Sequence, residues 1–440
     1  MLPAAPTLLA ACSTPTPNPY LSGNYGPVSE EITAVDLRVA GELPRELIGR
    51  YLRNGPNPGA SIDAASHHWF IGHGMVHGMR LNEGRAEWYR SRTVNPGAEG
   101  GPNTNVLGHA GKTLALVESG GAPFEMADDL SPIGAHDAFG GGYTAHPKLD
   151  PDTGELHALC YDWMNLQDHI RYVVIDAQGN MTKNMPVPMP GMIMVHDMSL
   201  TENYVVIFDL PVTLSFLAIG TGSGFPFRWD EDHEPRVGLL PRDGTAADIV
   251  WCPVSPQAVF HPMNAFEDPD GRVIIDLITY RTVFNEDVRG PFGDDPALLH
   301  RWTVNPATRT VSEEKMDDRM QEFPRCHPAL NGKPYQYGYT VAVEGFDFPS
   351  LLKHDTRAGT ATTFSLGAGN HFAEPLFVPR QDGSAEDDGY IMTFVFNKES
   401  NTSSFIVLDA RDFSRPPLAS VQLPTRVPYG FHGNWVPDIA

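Results

Sequence analysis

The amino-acid sequence predicts an all-β protein whose strands are arranged as a β-propeller. Two observations carry this prediction. First, 42 glycines and 40 prolines among 440 residues favour many short strands joined by turns over long helices. Second, segments of one style repeat along the chain: a strand-like run, a turn rich in Asp, Asn and Gly, and a second run. Radial repetition explains this series better than a two-sheet sandwich, for which 440 residues is a large size.

The repeated hairpin signatures follow one another at irregular spacing. They occupy residues 78–88, 146–156, 172–180, 266–275, 299–311, 351–360 and 405–413. The irregular spacing predicts long insertions between some blades. No low-complexity linker divides the middle of the chain, so residues 25–440 are expected to form a single propeller domain. Residues 1–24 are expected to be an extended, unstructured leader, because their stretch 13–19 is rich in proline.

Composition and charge exclude several classes of protein. Hydrophobic residues make up 41% of the chain and charged residues 19%, which is typical of a globular protein. The formal net charge of −23 gives a surface that repels phosphate backbones, so a nucleic-acid partner is not expected. Cys12, Cys160, Cys252 and Cys326 form no CxxC pair, which excludes a zinc ribbon and a disulfide scaffold.

The sequence shows no segment that predicts export or a membrane span. No apolar run approaches the roughly 18–20 residues that a span requires. The segment Leu-Ala-Ala-Cys that ends at Cys12 resembles a lipoprotein cleavage box, but no Lys or Arg precedes it and its apolar stretch is short. We therefore expect a cytoplasmic protein that is not exported as a lipoprotein.

One apolar and aromatic insertion, residues 210–229, is compatible with two interpretations. It is either a buried helix between blades, or an apolar lip where a lipophilic molecule enters and where the protein touches a membrane surface peripherally. The sequence leaves both interpretations open.

Four of the 17 histidines share a context, since each lies at or near a strand end beside turn-forming residues. They are His146, His196, His261 and His432. Separations of 50, 65 and 171 residues exclude a local zinc motif, so only a closed radial fold could bring these side chains to one axis. Each histidine alone is more typical of a core or turn residue than of a metal ligand. Together, an all-imidazole site suits Fe, Cu, Ni or Zn.

Three glutamates, Glu118, Glu322 and Glu374, stand in apolar settings. A buried carboxylate needs a partner, and the N–H of a metal-binding imidazole is a good one. The alternative for each is an ion pair with Arg325 or Arg380.

These residues lie within motifs that resemble the carotenoid cleavage oxygenase family, the iron(II) dioxygenases that split conjugated carbon–carbon double bonds. The resemblance covers nearly the whole chain. Its motifs are Gly49-Arg-Tyr-Leu-Arg-Asn-Gly-Pro-Asn-Pro58, His68-Trp-Phe-Ile-Gly-His-Gly-Met75, Asn103-Thr-Asn105, Glu118-Ser-Gly-Gly121, Thr144-Ala-His-Pro147, His196-Asp-Met198, Phe260-His-Pro262, Glu322-Phe-Pro-Arg325, Glu374-Pro-Leu-Phe-Val-Pro-Arg380 and Phe431-His-Gly-Asn-Trp435. The family commonly has Asp where this chain has Ile71 and His73, a departure that bears on substrate shape.

The resemblance implies a seven-bladed propeller with insertions covering an axial site for one Fe(II) per chain. The implied iron ligands are His146, His196, His261 and His432. Glu118, Glu322 and Glu374 would face the last three of these histidines. Thr104 would shape the position of O2, the co-substrate. No flavin or nicotinamide is expected, and no dinucleotide-binding GxGxxG fingerprint opens a helix.

The same resemblance implies a tunnel for a lipophilic polyene, lined by Phe70, Val117, Phe260 and Phe431. Stilbene-cleaving members typically carry Lys at the position of Val117, and an aliphatic side chain cannot pair with a phenolate. The expected activity is therefore O2-dependent cleavage of a carotenoid or apocarotenoid to two carbonyl products. The alternatives are a stilbene- or phenylpropenoid-cleaving dioxygenase and a polyene-binding propeller without catalysis. The sequence does not specify the oligomeric state.

Overall fold

The structure is a computed structural model that describes residues 17–59, 62–96, 101–220 and 224–438. Within this part of the chain, regular structure consists almost entirely of β-strands. They form seven antiparallel sheets arranged as blades and one further two-stranded sheet, so the predicted seven-bladed propeller is confirmed. Cys12 and most of the expected leader lie outside the described residues.

Nineteen strands precede residue 254. They are β1 Thr33–Leu37, β2 Val39–Gly41, β3 Gly49–Asn57, β4 His73–Asn82, β5 Arg85–Thr93, β6 Asn105–His109, β7 Lys112–Leu116, β8 Phe124–Met126, β9 Pro132–Ala135, β10 Lys148–Leu149, β11 Leu156–Cys160, β12 His169–Ile175, β13 Met181–Pro188, β14 Met198–Leu200, β15 Tyr204–Asp209, β16 Val212–Leu214, β17 Phe227–Trp229, β18 Arg236–Pro241 and β19 Val250–Pro253.

The remaining strands complete the propeller. They are β20 Ala258–Glu267, β21 Val273–Tyr280, β22 Leu298–Asn305, β23 Thr310–Lys315, β24 Gln321–Cys326, β25 Tyr337–Ala342, β26 Leu351–Asp355, β27 Thr360–Phe364, β28 Asn370–Phe372, β29 Leu376–Pro379, β30 Gly389–Asn397, β31 Thr402–Asp409, β32 Ala419–Gln422 and β33 Gly433–Pro437. The described helices are α1, Phe216–Gly220, and 3-10 turns at Pro19–Leu21, Gly23–Tyr25, Asp137–Phe139, Ala246–Asp248 and Pro328–Leu330.

Five blades are four-stranded, and two larger blades close the ring. The four-stranded blades have the orders β6-β7-β8-β9, β10-β11-β12-β13, β14-β15-β18-β19, β20-β21-β22-β23 and β24-β25-β26-β27. One closing blade, β1-β5-β4-β3-β33, takes the last strand of the chain into an N-terminal sheet. The other, β2-β32-β31-β30-β28 with β29 beside β30, takes an N-terminal strand into a C-terminal sheet. The two ends of the chain are therefore joined twice.

All seven predicted hairpin signatures fall on antiparallel strand pairs. The turn between β4 and β5 shows the reason, because Glu83 and Gly84 both have positive φ, at 47° and 80°. The signatures are distributed over five blades, however, and two of those blades contain two each. The blades β6-β7-β8-β9 and β14-β15-β18-β19 carry none.

The structure differs from the expected extended leader over residues 18–24. Asn18 accepts a hydrogen bond from the backbone N–H of Tyr20 and caps the first 3-10 turn. Tyr20 is buried, stacks on Trp69 at a ring-centroid distance of 5.7 Å, and its hydroxyl accepts the N–H of Phe292 at 3.1 Å. An aromatic anchor thus packs this part of the chain on the propeller.

The apolar insertion 210–229 forms a small hairpin, β16 with β17, joined through the five-residue helix α1. Phe225 and Phe227 are buried, whereas Phe216 on α1 is 62% exposed. The insertion is therefore not a buried helix between blades. In the described part of the chain, no helix has both the length and the apolar character needed to cross a bilayer.

Candidate metal centre

Four histidines from four blades converge at the centre of the propeller. His146 lies just before β10, His196 just before β14, His261 within β20 and His432 directly before β33. Each of these strands is the edge strand of its blade, and the edges of radially arranged blades meet at the axis. Three of the four are under 9% exposed, and the side chain of His261 is 12% exposed.

The ring nitrogens lie at the spacing of ligands to one ion. Nε2 of His261 is 3.3 Å from Nε2 of His196 and 3.1 Å from Nε2 of His432. The ring centroid of His146 is 4.4 Å from that of His196 and 4.6 Å from that of His432. The candidate ligand atoms of His146, His196 and His261 all lie within 4.8 Å of one another.

Three glutamates stand against the other side of these rings. Nδ1 of His196 lies 2.8 Å from Glu118 Oε1, Nδ1 of His261 lies 2.6 Å from Glu322 Oε2, and Nδ1 of His432 lies 2.8 Å from Glu374 Oε1. A carboxylate that faces Nδ1 favours the proton on that nitrogen and leaves Nε2 as a lone pair.

This donor set fits a divalent metal. With Nδ1 occupied, the Nε2 lone pairs of three rings point toward one another, and lone pairs at 3.1–3.3 Å repel unless a cation lies among them. Nε2 of His146 is buried and has no hydrogen-bond partner among the described residues. The structure therefore contains a buried histidine triad, His146, His196 and His261, suited to a single metal ion, with His432 beside it.

Burial and the neighbouring charges set the protonation of the site. Burial and the adjacent imidazoles hold the pKa of His146 well below its ordinary value. Burial lowers the pKa of His432 to about 3, although Glu374 opposes the shift. Burial alone would raise the pKa of Glu322, but His261 outweighs it, and the pKa of this carboxyl is lowered.

Burial would lower the pKa of His196, but the Glu118 carboxylate outweighs it and that pKa is raised. Because a neutral imidazole is the form that binds a metal, His196 gives up its proton on binding less readily than His146 and His432.

Glu374 contacts both kinds of partner that the sequence left open, a histidine of the site and an arginine. It faces His432, and it also forms a bidentate ion pair with Arg325, at 2.8 Å and 3.0 Å. Arg380 is not its partner, since Arg380 pairs with Asp388 at 2.8 Å.

Three residues at the site were missed by sequence reasoning. Asp197 Oδ2 lies 3.6 Å from Nδ1 of His146, and Lys148 neutralises this carboxylate at 2.8 Å. The hydroxyls of Tyr161 and Tyr280 donate to Glu118 and Glu322, both at 2.7 Å. Asp197 carried a signal, because it directly follows His196 in a motif, whereas neither tyrosine belongs to a motif that we identified.

An apolar cavity of about 520 Å³ leads to the histidines. Its wall includes the four residues expected to line a tunnel, Phe70, Val117, Phe260 and Phe431, together with Thr104, His196, His261 and His432. The hydroxyl of Thr104 donates to Asn103 Oδ1 at 2.9 Å. His146 instead lines a second, more polar cavity of about 320 Å³, which also reaches His261 and His432.

Comparisons with known proteins agree with this architecture. The family model described as retinal pigment epithelial membrane protein matches residues 25–437. A carotenoid cleavage oxygenase of Mycobacterium tuberculosis is 40% identical, and the match covers 96% of this chain and 98% of that protein.

Solved structures with the same fold include two enzymes of different substrate class. The chain is similar to lignostilbene dioxygenase of Pseudomonas brassicacearum, with a TM-score of 0.87, 28% identity and coverage of 97% of this chain and 100% of that chain. It is also similar to the cobalt-substituted apocarotenoid oxygenase of Synechocystis, with a TM-score of 0.85, 28% identity and coverage of 94% and 98%.

Proposed function

The chain belongs to the carotenoid cleavage oxygenase family, and from this premise we propose that it cleaves a conjugated double bond of a carotenoid or apocarotenoid with O2. The proposed cofactor is one Fe(II), held by His146, His196, His261 and His432. The observation that carries the proposal is the apolar cavity, whose wall contains Val117 as well as three of these histidines.

The residues of the chain have distinct roles in this reaction. The ring centroids of Phe70 and Phe260 lie 6.3 Å and 5.1 Å from that of His196. Phe431 directly precedes His432. These apolar walls hold a polyene by burial and keep water from the histidines.

Iron(II), when bound, would supply the activation of O2. Because Asn103 holds the hydroxyl of Thr104, the methyl group of Thr104 is left to restrict the space beside the histidines. In this role Thr104 limits where O2 and the alkene fit.

The proposed reaction balances without a further redox partner. One carbon–carbon double bond breaks, and each carbon gains one oxygen atom of O2 as a carbonyl. Four electrons leave the two carbons and reduce the O2 molecule. The side chains therefore need to position the alkene rather than transfer protons to it.

Cleavage of a phenolic stilbene is the second candidate, favoured by the similarity to lignostilbene dioxygenase. A phenolate in the cavity would require a cationic partner. Val117 cannot supply one, since its side chain is aliphatic. The polyene is accordingly the substrate that we propose.

Aerobic incubation of the Fe(II)-loaded protein with an apocarotenal and, separately, with a hydroxystilbene tests the proposal. Products are identified by liquid chromatography and mass spectrometry, with His261→Ala as the blank. We expect shorter carbonyl products from the apocarotenal alone. Phenolic aldehyde from the stilbene alone would overturn the substrate assignment.

We also propose that the protein takes up its substrate at a lipid surface through residues 210–229. Exposed Phe216 belongs to this insertion, and Gly224 and Phe225 of the same insertion line the apolar cavity. Phe216→Asp is expected to reduce co-sedimentation with phosphatidylcholine vesicles, because a charge there opposes insertion into lipid. Ile133→Asp is the matched control, since Ile133 is 61% exposed on the outer strand β9. Equal co-sedimentation of both variants would contradict the proposal.

A further inference from the structure

Each glutamate beside the histidines uses one carboxylate oxygen on its histidine, while a separate donor holds the other oxygen. For Glu118, Oε2 accepts from the hydroxyl of Tyr161 at 2.7 Å. For Glu322, Oε1 accepts from the hydroxyl of Tyr280 at 2.7 Å. These two contacts join residues 43 and 42 positions apart in the chain.

Glu374 is held differently. Its Oε2 accepts from the guanidinium of Arg325 at 3.0 Å and from the backbone N–H of Gly433 at 2.9 Å. Two carboxylates therefore depend on a neutral phenol, and the third depends on a charged guanidinium.

We propose that Tyr161 and Tyr280 are positioning residues of the metal centre, each fixing the carboxylate that orients His196 or His261 and thereby strengthening metal binding. This inference rests on the proposed metal site. It assigns the tyrosines no contact with the metal.

The type of hydrogen-bond donor to each glutamate matches the polarity of the cavity that the donor lines. Tyr161 and Tyr280 both line the apolar cavity, whereas Arg325 lines the more polar one. A guanidinium facing an apolar substrate would be desolvated at a high cost, while a phenol supplies a hydrogen bond without a charge. Burial and the adjoining carboxylate raise the pKa of each phenol well above its ordinary value, so both hydroxyls remain donors.

The backbone after these two glutamates supports a positioning role. Ser119 and Phe323, which directly follow Glu118 and Glu322, have φ of 68° and 53° in the left-handed region. Residues other than glycine adopt this conformation at a cost and concentrate where a site requires it. The bend lets the N–H of Phe323 donate back to Glu322 Oε2, and it places the Ser119 hydroxyl 3.1 Å from that of Tyr161.

Loss of either phenol would weaken the orientation of the imidazole. A buried carboxylate oxygen without a donor is unfavourable, so the carboxylate would turn toward another partner or attract the proton of the histidine. In both cases the contact between the carboxylate and Nδ1 changes. Partners of metal-binding histidines typically contribute about 10–100-fold to metal affinity. A donor one bond further away is expected at the lower end of that range.

Cobalt(II) binding to the metal-free protein tests the inference. We expect Tyr161→Phe and Tyr280→Phe each to raise the Co(II) dissociation constant about tenfold and to shift the visible absorption bands of the bound Co(II). Ser119→Ala, which removes the donor to Tyr161, is expected to have a smaller effect in the same direction. The matched control is Tyr339→Phe, because Tyr339 is buried and its hydroxyl has no partner among the described residues.

The outcomes separate this inference from the proposed function. Absence of Co(II) binding by the unmodified protein would refute the metal site itself. Binding and spectra in both tyrosine variants that match Tyr339→Phe would overturn the inference and leave the site intact. Thermal unfolding of the metal-free variants identifies a folding defect. If Tyr280→Phe does not fold, Tyr161→Phe and Ser119→Ala decide the result.

Discussion

At the scale of single residues, the carboxylate beside each imidazole decides which ring nitrogen is free for a metal. Glu118, Glu322 and Glu374 lie 2.6–2.8 Å from Nδ1 of their histidines. His146 has a weaker partner, since Asp197 lies 3.6 Å away and is itself paired with Lys148. The four imidazoles are therefore not equivalent.

The sequence could predict the histidines and glutamates, which belong to motifs. It could not predict the tyrosines that donate hydrogen bonds to two of these glutamates. The shared context of the histidines suggested a common axis, and the family resemblance assigned a glutamate to three of them. Tyr161 and Tyr280 were missed because each meets its glutamate through the tertiary fold, at a separation of more than 40 residues. No local pattern in one sequence records such a contact.

Val117→Lys tests the residue that we associate with substrate class. An ammonium group in the apolar wall is expected to lower kcat/KM for an apocarotenal by about tenfold or more, because a buried charge without a partner is unfavourable. The measurement is the initial rate of product formation. Val117→Leu, which keeps the wall apolar, is the control and should lose less. An unchanged rate in Val117→Lys would show that Val117 does not face the substrate.

At the scale of elements, the turn residues predicted the fold class correctly but did not show which hairpins belong to which blade. Six of the seven hairpin signatures form with short connections, whereas residues 405–413 cover part of β31 and part of its nine-residue connection to β32, and together the seven occupy only five blades. The blade β6-β7-β8-β9 carried no predicted signature, although Ala110 and Gly111 form a two-residue turn with positive φ between β6 and β7 and Leu130 has positive φ before β9. The expected leader also differed, since three of its residues are buried against the propeller: Asn18, Tyr20 and Asn24.

The segment before β33 places His432 through contacts with β3. Arg53 donates to the carbonyl of Pro428 at 2.7 Å, and the backbones of Asn54 and His432 are hydrogen-bonded at 3.0 Å. Gly430 lies so close that an added Cβ would be 2.8 Å from Gly55 Cα. The element therefore has no room for a side chain at this position.

Gly430→Ala is expected to lower the free energy of unfolding by about 1–3 kcal/mol, because overpacking forces the backbone of the segment to shift. The shift should also reduce metal content, since His432 follows two residues later. Denaturant titration and metal analysis measure the two effects. Gly191→Ala is the control, because a Cβ at Gly191 meets no atom within 4 Å. Equal stability of both variants would contradict the packing argument.

At the scale of the whole molecule, closure of the ring determines whether the site exists. The histidines come from positions up to 286 residues apart, and β33 reaches the axis only because it pairs with β3. The second join, β2 with β32, fixes the neighbouring blade. The family resemblance implied a seven-bladed propeller, but neither it nor hydrophobic patterning specified which strands pair to close the ring.

Gly49→Ala tests the closure. A Cβ at Gly49 would lie 2.5 Å from the carbonyl oxygen of Val436, within the pairing of β3 with β33. We expect the free energy of unfolding, measured by denaturant titration, to fall by about 1–3 kcal/mol. The amount of metal that the protein retains should fall with it. Gly191→Ala again serves as the reference. Loss of metal without loss of stability would indicate that the closure is not what holds the site.

The proposed function requires one iron ion, bound on the propeller axis by four histidines. The most direct test is anomalous diffraction at the iron absorption edge from crystals of the Fe(II)-loaded protein. The account predicts a single peak per chain, in contact with Nε2 of His146, His196, His261 and His432. A peak elsewhere, or a peak that one of these four nitrogens does not contact, would contradict it.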